Sequence, residues 1–291
     1  MWLSLIIVNS LVTGSIYAIL AAGFSLIFSV ARMANFAHTG LYMLCGYIIY
    51  IFANMLGWNL VPSAIVAIAV IVFLAMAYYH FVLDRVNEQH LAVMILTLAL
   101  AMLIQSILLI FFRSDQRSIA PFIDAFIEVL GVRVSYQHIF TFTVCALVLV
   151  GLWFLLSKTK LGHAIRAVSQ DSEMANAMGI NVGIILLVTV GISAVLAGIA
   201  ALMVTPLFGI EPYMWLNSLV IVVAAAVLGG LGSIKGSVIA AFILGFAEIL
   251  TVTLVPQGGW LRGLVSMLAM LLILLFRPEG LFGIIFEEER L

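Results

Sequence analysis

The sequence predicts an all-α protein, a polytopic transmembrane helical bundle of about eight or nine spans with a short cytoplasmic helix between two of them. Apolar residues make up 65% of the 291 residues, charged residues make up 9%, and the mean hydropathy is +1.30. A soluble domain is about 25% charged. This composition excludes a soluble globular enzyme and a disordered protein. The net charge of −1 leaves no basic surface for a nucleic-acid backbone.

Charged residues are confined to short islands, and the apolar runs between them are long enough for helices that cross a bilayer, which takes about 20 residues. Runs such as 63–78 are too uniformly apolar for barrel strands, which alternate over about ten residues. Since no Lys or Arg precedes Arg32, the first run lacks the basic region of a cleaved signal peptide. We expect one transmembrane domain over 1–291, with spans at roughly 4–30, 38–56, 61–83, 91–112, 138–157, 183–206, 216–231, 236–254 and 261–276.

The distribution of Lys and Arg predicts an external N-terminus and a cytoplasmic C-terminus. With nine spans in this orientation, the cytoplasmic side receives Arg32, Arg85, Lys158, Lys160, Arg166, Lys235, Arg277 and Arg290. The external side receives Arg113, Arg117, Arg133 and Arg262, and such an excess of cations inside is typical of membrane proteins. The loop 113–137 is then external and the loop 157–182 cytoplasmic. The glycine-rich stretch 216–254 is compatible with two crossings or with a re-entrant pair.

No catalytic, cofactor or metal motif is present in the sequence. The stretch 230–236 has Lys235 where a dinucleotide-binding loop needs glycine. Lys235 also precedes Gly236, whereas a Walker A loop needs Gly-Lys-Ser/Thr. Cys45 and Cys145 lie in apolar runs and are expected to be packing residues. We therefore expect no catalytic residues, no metal site and no cofactor in this chain, and no enzymatic activity of its own.

The polar loop 157–182 predicts a short helix that suits docking. Ser169 or Asp171 can cap a helix through Met174, and Gly179 fits its end. Ala175 and Met178 are three residues apart, so they are expected on one face. Small and flexible side chains on one face suit a groove of another protein. A helix lying on the lipid headgroups is the alternative.

Two breaks in apolar runs, one in each half of the chain, predict a translocation site. Asn35, His38 and Thr39 form the first break, and the glycine-rich stretch 229–236 forms the second. Paired interruptions of this kind indicate a transporter's binding site, although two tight cytoplasmic turns would give the same pattern. Glu248 is an acidic residue well inside a predicted span, and it is either functional or paired with Arg262.

Five motifs in order resemble the shorter permease subunit of Liv-type branched-chain amino-acid ABC transporters. The opening 9–18, the signature Ala34-Asn35-Phe36-Ala37-His38, the cytoplasmic loop 161–180, the stretch 227–236 and the C-terminal 277–283 are all similar to that family. Two positions depart from the family pattern. Thr39-Gly40 follows His38 where Gly-Glu is usual, and Lys235 stands where proline is common.

The resemblance implies an ABC importer of branched-chain amino acids or a related small polar solute in the bacterial inner membrane. It implies two ATPase subunits, which hold ATP and Mg, a second permease subunit or a second copy, a soluble solute-binding protein at the external face, and surrounding lipid. A nucleic-acid partner is not implied. Arg166, Asp171 and Glu173 would anchor the loop or contact an ATPase, and Ala175, Met178 and Gly179 would fill its groove.

The expected translocation pathway comprises Asn35, His38, Gly229, Gly230, Gly232, Ser233 and Glu248. The alternative function is an ion-coupled secondary carrier, in which Glu248 or His38 relays protons and no ATPase is needed. The polar loop 157–182 argues against that alternative because such a carrier needs no docking helix.

Overall fold

The structure, a computed structural model, describes residues 2–86, 89–123, 125–129, 132–255, 262–276 and 280–282. The helices in this part of the chain are α1 (Trp2–Ala31), α2 (Ala37–Tyr50), a π-helix (Ile51–Met55), α3 (Leu60–Phe81), a 3₁₀ turn (Leu83–Arg85), α4 (His90–Phe112), α5 (Tyr136–Lys158), α6 (Lys160–Gln170), α7 (Ser172–Ala177), α8 (Val182–Phe208), α9 (Met214–Gly229), α10 (Ile234–Leu254) and α11 (Arg262–Phe276). Two strands, β1 (Phe126–Val129) and β2 (Val132–Ser135), pair antiparallel. Helices dominate because a chain in hydrocarbon must satisfy its own backbone hydrogen bonds.

Six helices of the described chain are long and apolar enough to cross a membrane, so the prediction of a helical membrane protein is confirmed. They correspond to α1, α3, α4, α5, α8 and α10. The predicted count of eight or nine spans is not supported by helix length. The predicted spans 38–56, 216–231 and 261–276 fall on shorter helices: α2 changes to π geometry after 14 residues, α9 has 16 residues and α11 has 15.

The loop 113–137 adds a feature that the all-α prediction missed. Strands β1 and β2 form a small hairpin in which Glu128 lies opposite Arg133. The alternation of apolar and polar residues over 132–135 is too short to have distinguished this hairpin from an irregular loop.

Polar side chains fix the starts of several helices. Ser135 begins α5, Thr159 begins α6, Asn181 begins α8 and Ser233 begins α10, and each accepts a hydrogen bond from a backbone N–H in the first turn. Such caps satisfy donors that the helix itself leaves unbonded. The helix boundaries therefore follow from local chemistry as well as from hydropathy.

Helices α1 and α10 form a close antiparallel pair near the centre of the bundle. A Cβ atom on Gly245 would lie 2.7 Å from Cα of Gly14, so only glycine fits at this contact. Ala240 and Ala241 are fully buried beside it, as small residues at a membrane helix interface generally are. Ser25 and Ser237 join the two helices by a hydrogen bond of 2.6 Å between their hydroxyls.

The connecting segments gather at two opposite ends of the bundle. At one end, which we call the α6–α7 end, the Arg32 guanidinium donates to the Gln170 carbonyl (3.4 Å). At the other, the hairpin end, the Asn54 amide donates to the Ser118 carbonyl (3.2 Å), and the Gln116 amide donates to the Phe208 carbonyl (2.7 Å).

Residues 280–282 close the end of α9. The N–H groups of Leu281 and Phe282 donate to the carbonyls of Leu228 and Gly229, at 2.8 and 3.1 Å. These carbonyls belong to the last turn of α9, where a helix has no internal donors left. The other residues of the C-terminal motif, Arg277 to Glu279 and Gly283, lie outside the described residues.

Replacing Gly245 with Ala is expected to lower the free energy of unfolding by about 1–3 kcal/mol because the methyl group overlaps the backbone of α1. Gly151 of α5 is the matched control, because nothing lies within 4 Å of a Cβ atom there. Gly151→Ala should leave stability unchanged or raise it by up to about 1 kcal/mol. Thermal unfolding of both variants in the same detergent measures the difference. Equal midpoints would show that the close α1–α10 contact is dispensable.

Candidate translocation site

A cavity of about 500 Å³ lies among α1, α2, α8, α9 and α10 near the hairpin end. Hydroxyl, amide and carboxylate groups from several elements line it. The polar lining residues are Thr13, Tyr17, Tyr42, Gln116, Glu211, Asn217, Ser218 and Glu248. The apolar lining residues include Ile16, Val204, Phe208, Met214 and Ile221. The cavity can therefore bind polar groups of a solute and also cover an apolar part.

Glu248 brings a carboxylate into this cavity from the middle of α10. Its side chain is 1% exposed, and the Tyr17 hydroxyl donates a 2.9 Å hydrogen bond to Oε2. A carboxylate at membrane depth is costly unless it is bonded, and it then commonly serves transport. The sequence offered Arg262 as an alternative partner, but its side chain is not among those that the structure describes.

Glu211 brings a second carboxylate from the link between α8 and α9. The preceding residue, Ile210, exchanges two backbone hydrogen bonds with Arg117, of 2.9 and 2.7 Å. Gly209 makes this turn with a φ of +73°, and a Cβ atom there would lie 2.8 Å from the Arg117 carbonyl. The loop 113–137 thus fixes the link that carries Glu211.

The charged side chains that line the cavity, within the described chain, are the two carboxylates Glu211 and Glu248. A cavity of this charge favours a cationic group such as an ammonium, which carboxylates bind by charge-assisted hydrogen bonds. The amides of Gln116 and Asn217 and the tyrosine hydroxyls offer donors for a negative group. The arrangement suits a small zwitterion with an apolar side chain.

Sequence reasoning identified Glu248 but missed the other polar residues of the lining. Glu211 directly follows the uncharged run 174–210 and belongs to none of the motifs. Tyr17 was noted only as part of the segment 9–18, which is similar to the family's opening. The only sequence feature that the missed residues on α1 and α9 share is their polarity. Otherwise apolar segments are interrupted there by Thr13, Tyr17, Asn217 and Ser218.

His38 and Asn35 lie in a packed region rather than along this cavity. His38 is 1% exposed, with Nε2 3.1 Å from the Leu20 carbonyl and Nδ1 2.9 Å from the Ser193 hydroxyl. These contacts join α2 to α1 and α8. The Asn35 side chain accepts a 3.1 Å hydrogen bond from the Ala37 N–H and so shapes the start of α2.

The glycines of the second break lie at the α6–α7 end, so the structure does not bring the two breaks together around one cavity. Gly229 packs against the backbone of Gly236, where a side chain on either residue would overlap the other. Gly230 and Gly232 have φ values of +98° and +85°, which other residues rarely adopt. The Ser233 hydroxyl accepts from the Gly236 N–H at 3.1 Å and begins α10. This break is a tight turn between α9 and α10.

The predicted short helix in the loop 157–182 is present as α7, and Asp171 is its cap. Asp171 Oδ1 accepts a 2.9 Å hydrogen bond from the Met174 N–H. Gly179, with a φ of +85°, ends the turn after α7. The loop also contains α6, which carries Arg166, and both Arg166 and Glu173 are exposed.

The expectation that Ala175 and Met178 share one docking face is wrong. Ala175 is 5% exposed and packs in the core, whereas Met178 is 84% exposed and Met174 is 66% exposed. The two positions separate because α7 ends at Ala177, so Met178 lies beyond the helix and does not continue its face. The exposed surface of this segment is therefore formed by the two methionines.

Comparison with known proteins identifies the family. The family described as "Branched-chain amino acid transport system / permease component" matches residues 6–274. The chain belongs to this family. The high-affinity branched-chain amino acid transport system permease protein BraD of Pseudomonas aeruginosa is 31% identical, over 95% of this chain and 94% of the relative. The LivH permease protein of the corresponding Escherichia coli system is 27% identical, over 94% of each chain.

The fold of this permease is also seen in a solved structure. The complex of PsaBC from Streptococcus pneumoniae with Fab contains a chain that aligns with a TM-score of 0.53 and 15% identity, over 93% of this chain and 91% of that one. The family resemblance read from the motifs is confirmed, and the permease is a multi-pass membrane protein.

Replacing His38 with Ala is expected to reduce membrane abundance and thermal stability together, because the Ser193 hydroxyl and the Leu20 carbonyl lose a buried partner. Losing such a partner costs about 1–3 kcal/mol. His80→Ala is the control, since His80 is exposed on α3. Immunoblots of membrane fractions and unfolding midpoints measure the effect. Normal abundance and stability with altered transport kinetics would instead place His38 in the pathway.

Proposed function

We propose that this permease is the transmembrane subunit of an ABC importer for branched-chain amino acids or a related small polar solute. The observation that carries the proposal is the amphiphilic cavity, which is lined both by the carboxylates Glu211 and Glu248 and by aliphatic side chains. The names of the relatives BraD and LivH support the substrate class. ATP hydrolysis takes place in partner subunits, and the permease itself holds no cofactor or metal.

In this proposal the solute ammonium lies against Glu248 and Glu211, and a branched side chain lies against Ile16, Val204 and Ile221. A carboxylate group of the solute takes donors from Gln116 and Asn217. The family's usual acidic residue after the signature histidine is replaced here by Thr39-Gly40. Because the cavity receives both carboxylates from other elements, this departure does not remove its negative charge.

We further propose the inner membrane of a bacterial cell as the location, with nine crossings, an external N-terminus and a cytoplasmic C-terminus. In this topology α2 with its π-helix, α9 and α11 also cross. The cationic residues of the described chain at the α6–α7 end are Arg32, Arg85, Lys158, Lys160, Arg166 and Lys235. Those at the hairpin end are Arg113, Arg117, Arg133 and Arg262. The positive-inside rule then makes the α6–α7 end cytoplasmic.

The proposed partners follow from these two ends. Two ATPase subunits dock at the α6–α7 end, where Met174 and Met178 offer exposed, adaptable apolar contacts. A solute-binding protein delivers its cargo at the hairpin end, near the mouth of the cavity. A second permease subunit, or a second copy of this chain, completes the pathway. Nucleic acid has no part in this function.

The α9–α10 pair provides a path between ATPase and solute. Arg166 and Ser169 of α6 line the same groove as Gly232 and Ser233 of the α9–α10 turn. Asn217 and Ser218 of α9 and Glu248 of α10 line the cavity near the other end. Movement of the docked α6–α7 segment can therefore be transmitted to the cavity, so that the helices switch between two packings.

Reconstitution into vesicles tests the function. The permease, purified with the subunits that accompany it, is expected to take up radiolabelled leucine only when ATP and Mg reach the cytoplasmic face, and a protonophore should have no effect. Uptake that needs a proton gradient and no ATP would refute the importer and support the ion-coupled carrier, with Glu248 as its relay.

Glu248→Gln is expected to lower leucine uptake about 10- to 100-fold while the protein still inserts normally. The substitution keeps the shape of the side chain and a partner for Tyr17, but it removes a charge worth about 1.5–3 kcal/mol to a bound ammonium. Asp84→Asn, which removes a charge outside the cavity, is the control. Uptake is measured against leucine concentration. Wild-type uptake by the Glu248 variant would rule out this carboxylate as a solute ligand.

Met178→Arg is expected to abolish ATP-driven uptake without loss of membrane abundance, since a charged side chain enters the proposed ATPase contact. Met55→Arg is the matched control, because Met55 is also exposed, at 66%, but lies near the hairpin end. Uptake and co-purified ATPase are measured for both variants. If Met178→Arg retains both, the docking surface lies elsewhere on the α6–α7 end.

A further inference from the structure

A second cavity, of about 540 Å³, lies at the α6–α7 end between the last turns of α5 and the first turns of α10. Helix α1 contributes Leu26 and Ser29, and α6 contributes Ile165, Arg166 and Ser169. This second cavity is an open groove, called the α5–α10 groove, and it shares no lining residue with the translocation cavity. The proposed transport mechanism leaves its contents unassigned.

The part of the groove between the two membrane-crossing helices is apolar. Leu149, Leu152, Trp153 and Leu156 of α5 face Val238 and Ile239 of α10 across it. Trp153 is 51% exposed and Ile239 is 44% exposed, so the groove opens on the side of the bundle rather than into its core. Side chains of this kind suit the acyl chains of a lipid.

The part of the groove beside α6 is cationic. Arg166 and Lys235 line it together with the hydroxyls of Ser169 and Ser233, and its lining within the described chain includes no Asp or Glu. Both cations are exposed, and the structure records an ion pair for neither of them in the part of the chain that it describes. Two cations and two hydroxyls offer several donors to a phosphate.

We propose that this groove binds one anionic phospholipid of the cytoplasmic leaflet, with its acyl chains between α5 and α10 and its phosphate at Arg166 and Lys235. The side of the membrane rests on the proposed orientation. Charge complementarity decides the occupant. A transmembrane helix of a partner would cover the apolar walls and leave both cations without an anion, whereas an anionic lipid supplies both parts at the required depth.

The bound phosphate would join α6 to α10. Arg166 belongs to the segment proposed to receive the ATPase, and Lys235 lies in the first turn of the helix that carries Glu248. A lipid that bridges them stabilises one packing of α6 against α10. Its removal is therefore expected to lower thermal stability and to weaken the dependence of uptake on ATP.

The test compares lipids that differ only in headgroup. The full-length permease, purified with its accompanying subunits and stripped of lipid, receives phosphatidylglycerol or phosphatidylcholine with identical acyl chains. Phosphatidylglycerol is expected to raise the unfolding midpoint by several degrees more than phosphatidylcholine does, and native mass spectrometry should retain it selectively. Equal effects of the two lipids, or the same stabilisation by inorganic phosphate alone, would overturn the proposal.

Two pairs of variants locate the effect. Lys235→Gln should abolish the preference for phosphatidylglycerol, whereas Lys160→Gln, an equal loss of charge at the same end but outside the groove, should keep it. Val238→Trp should fill the apolar part and reduce retention of both lipids. Val150→Trp, on an exposed stretch of α5, should not. A preference that survives both groove variants would refute the site.

The variant Ile239→Cys tests whether a protein, rather than a lipid, occupies the groove. Cross-linking of Ile239→Cys in high yield to a second permease chain would show that a partner covers the groove, and it would also overturn the proposal. Lipid retention is measured without transport, so the two proposals fail separately. Selective retention with no ATP-driven uptake would refute the importer alone, and ATP-driven uptake without selective retention would refute the lipid site alone.

Discussion

The contact of Gly14 with Gly245 sets the distance between α1 and α10, and several other features depend on that distance. Tyr17 and Glu248 each follow one of these glycines by three residues, which is almost one helical turn. Because the helices are antiparallel, the two positions lie on opposite sides of the glycine contact, and their long side chains reach across it, so that the tyrosine hydroxyl lies 2.9 Å from the carboxylate. In lipid, apolar side chains gain little by meeting one another, so helices associate through close packing and hydrogen bonds. Glycine provides the packing here, and its neighbours provide the bond.

Small residues also hold the pair together toward the α6–α7 end. Ser25 and Ser237 bond across the interface there, and beyond them Gly236 packs against Gly229 of α9. The α9–α10 turn is thus held to α1 by small residues. Residues 280–282 bond to the end of α9 and add a further tie. A turn fixed in this way moves with its helices, which is what transmission between the α6–α7 end and the cavity requires.

Local chemistry explains why part of this fold could be predicted from sequence. Hydropathy located all six long helices, and side-chain capping offered Ser169 or Asp171 as the start of α7, of which Asp171 is the cap. The motifs at 34–38 and 227–236 also indicated the family correctly. Each of these features depends on residues that are neighbours in the chain. Local pattern did not predict the change to π geometry after Tyr50 or the early end of α7. Both depend on backbone geometry that residue type fixes only weakly.

The polar lining of the cavity could not be derived from the sequence because its members meet only in the folded chain. Tyr17 and Glu248 are 231 residues apart, and Glu211 is positioned by the strand-like contact of Ile210 with Arg117. His38 shows the same dependence on the folded chain. Its polarity at membrane depth predicts a role in the pathway, whereas the structure encloses it between α1 and α8, each of which supplies a hydrogen-bond partner.

Polar groups inside the bundle thus divide by what surrounds them. His38 with Ser193, and Ser25 with Ser237, are enclosed by packed helices, so their hydrogen bonds specify how the helices fit together. Glu248 bonds to Tyr17 and also borders a space large enough for a small solute. A carboxylate in that position can exchange interactions between protein and cargo without first separating two helices. The neighbouring empty volume, rather than burial or charge alone, is therefore what makes Glu248 the residue proposed to bind the solute.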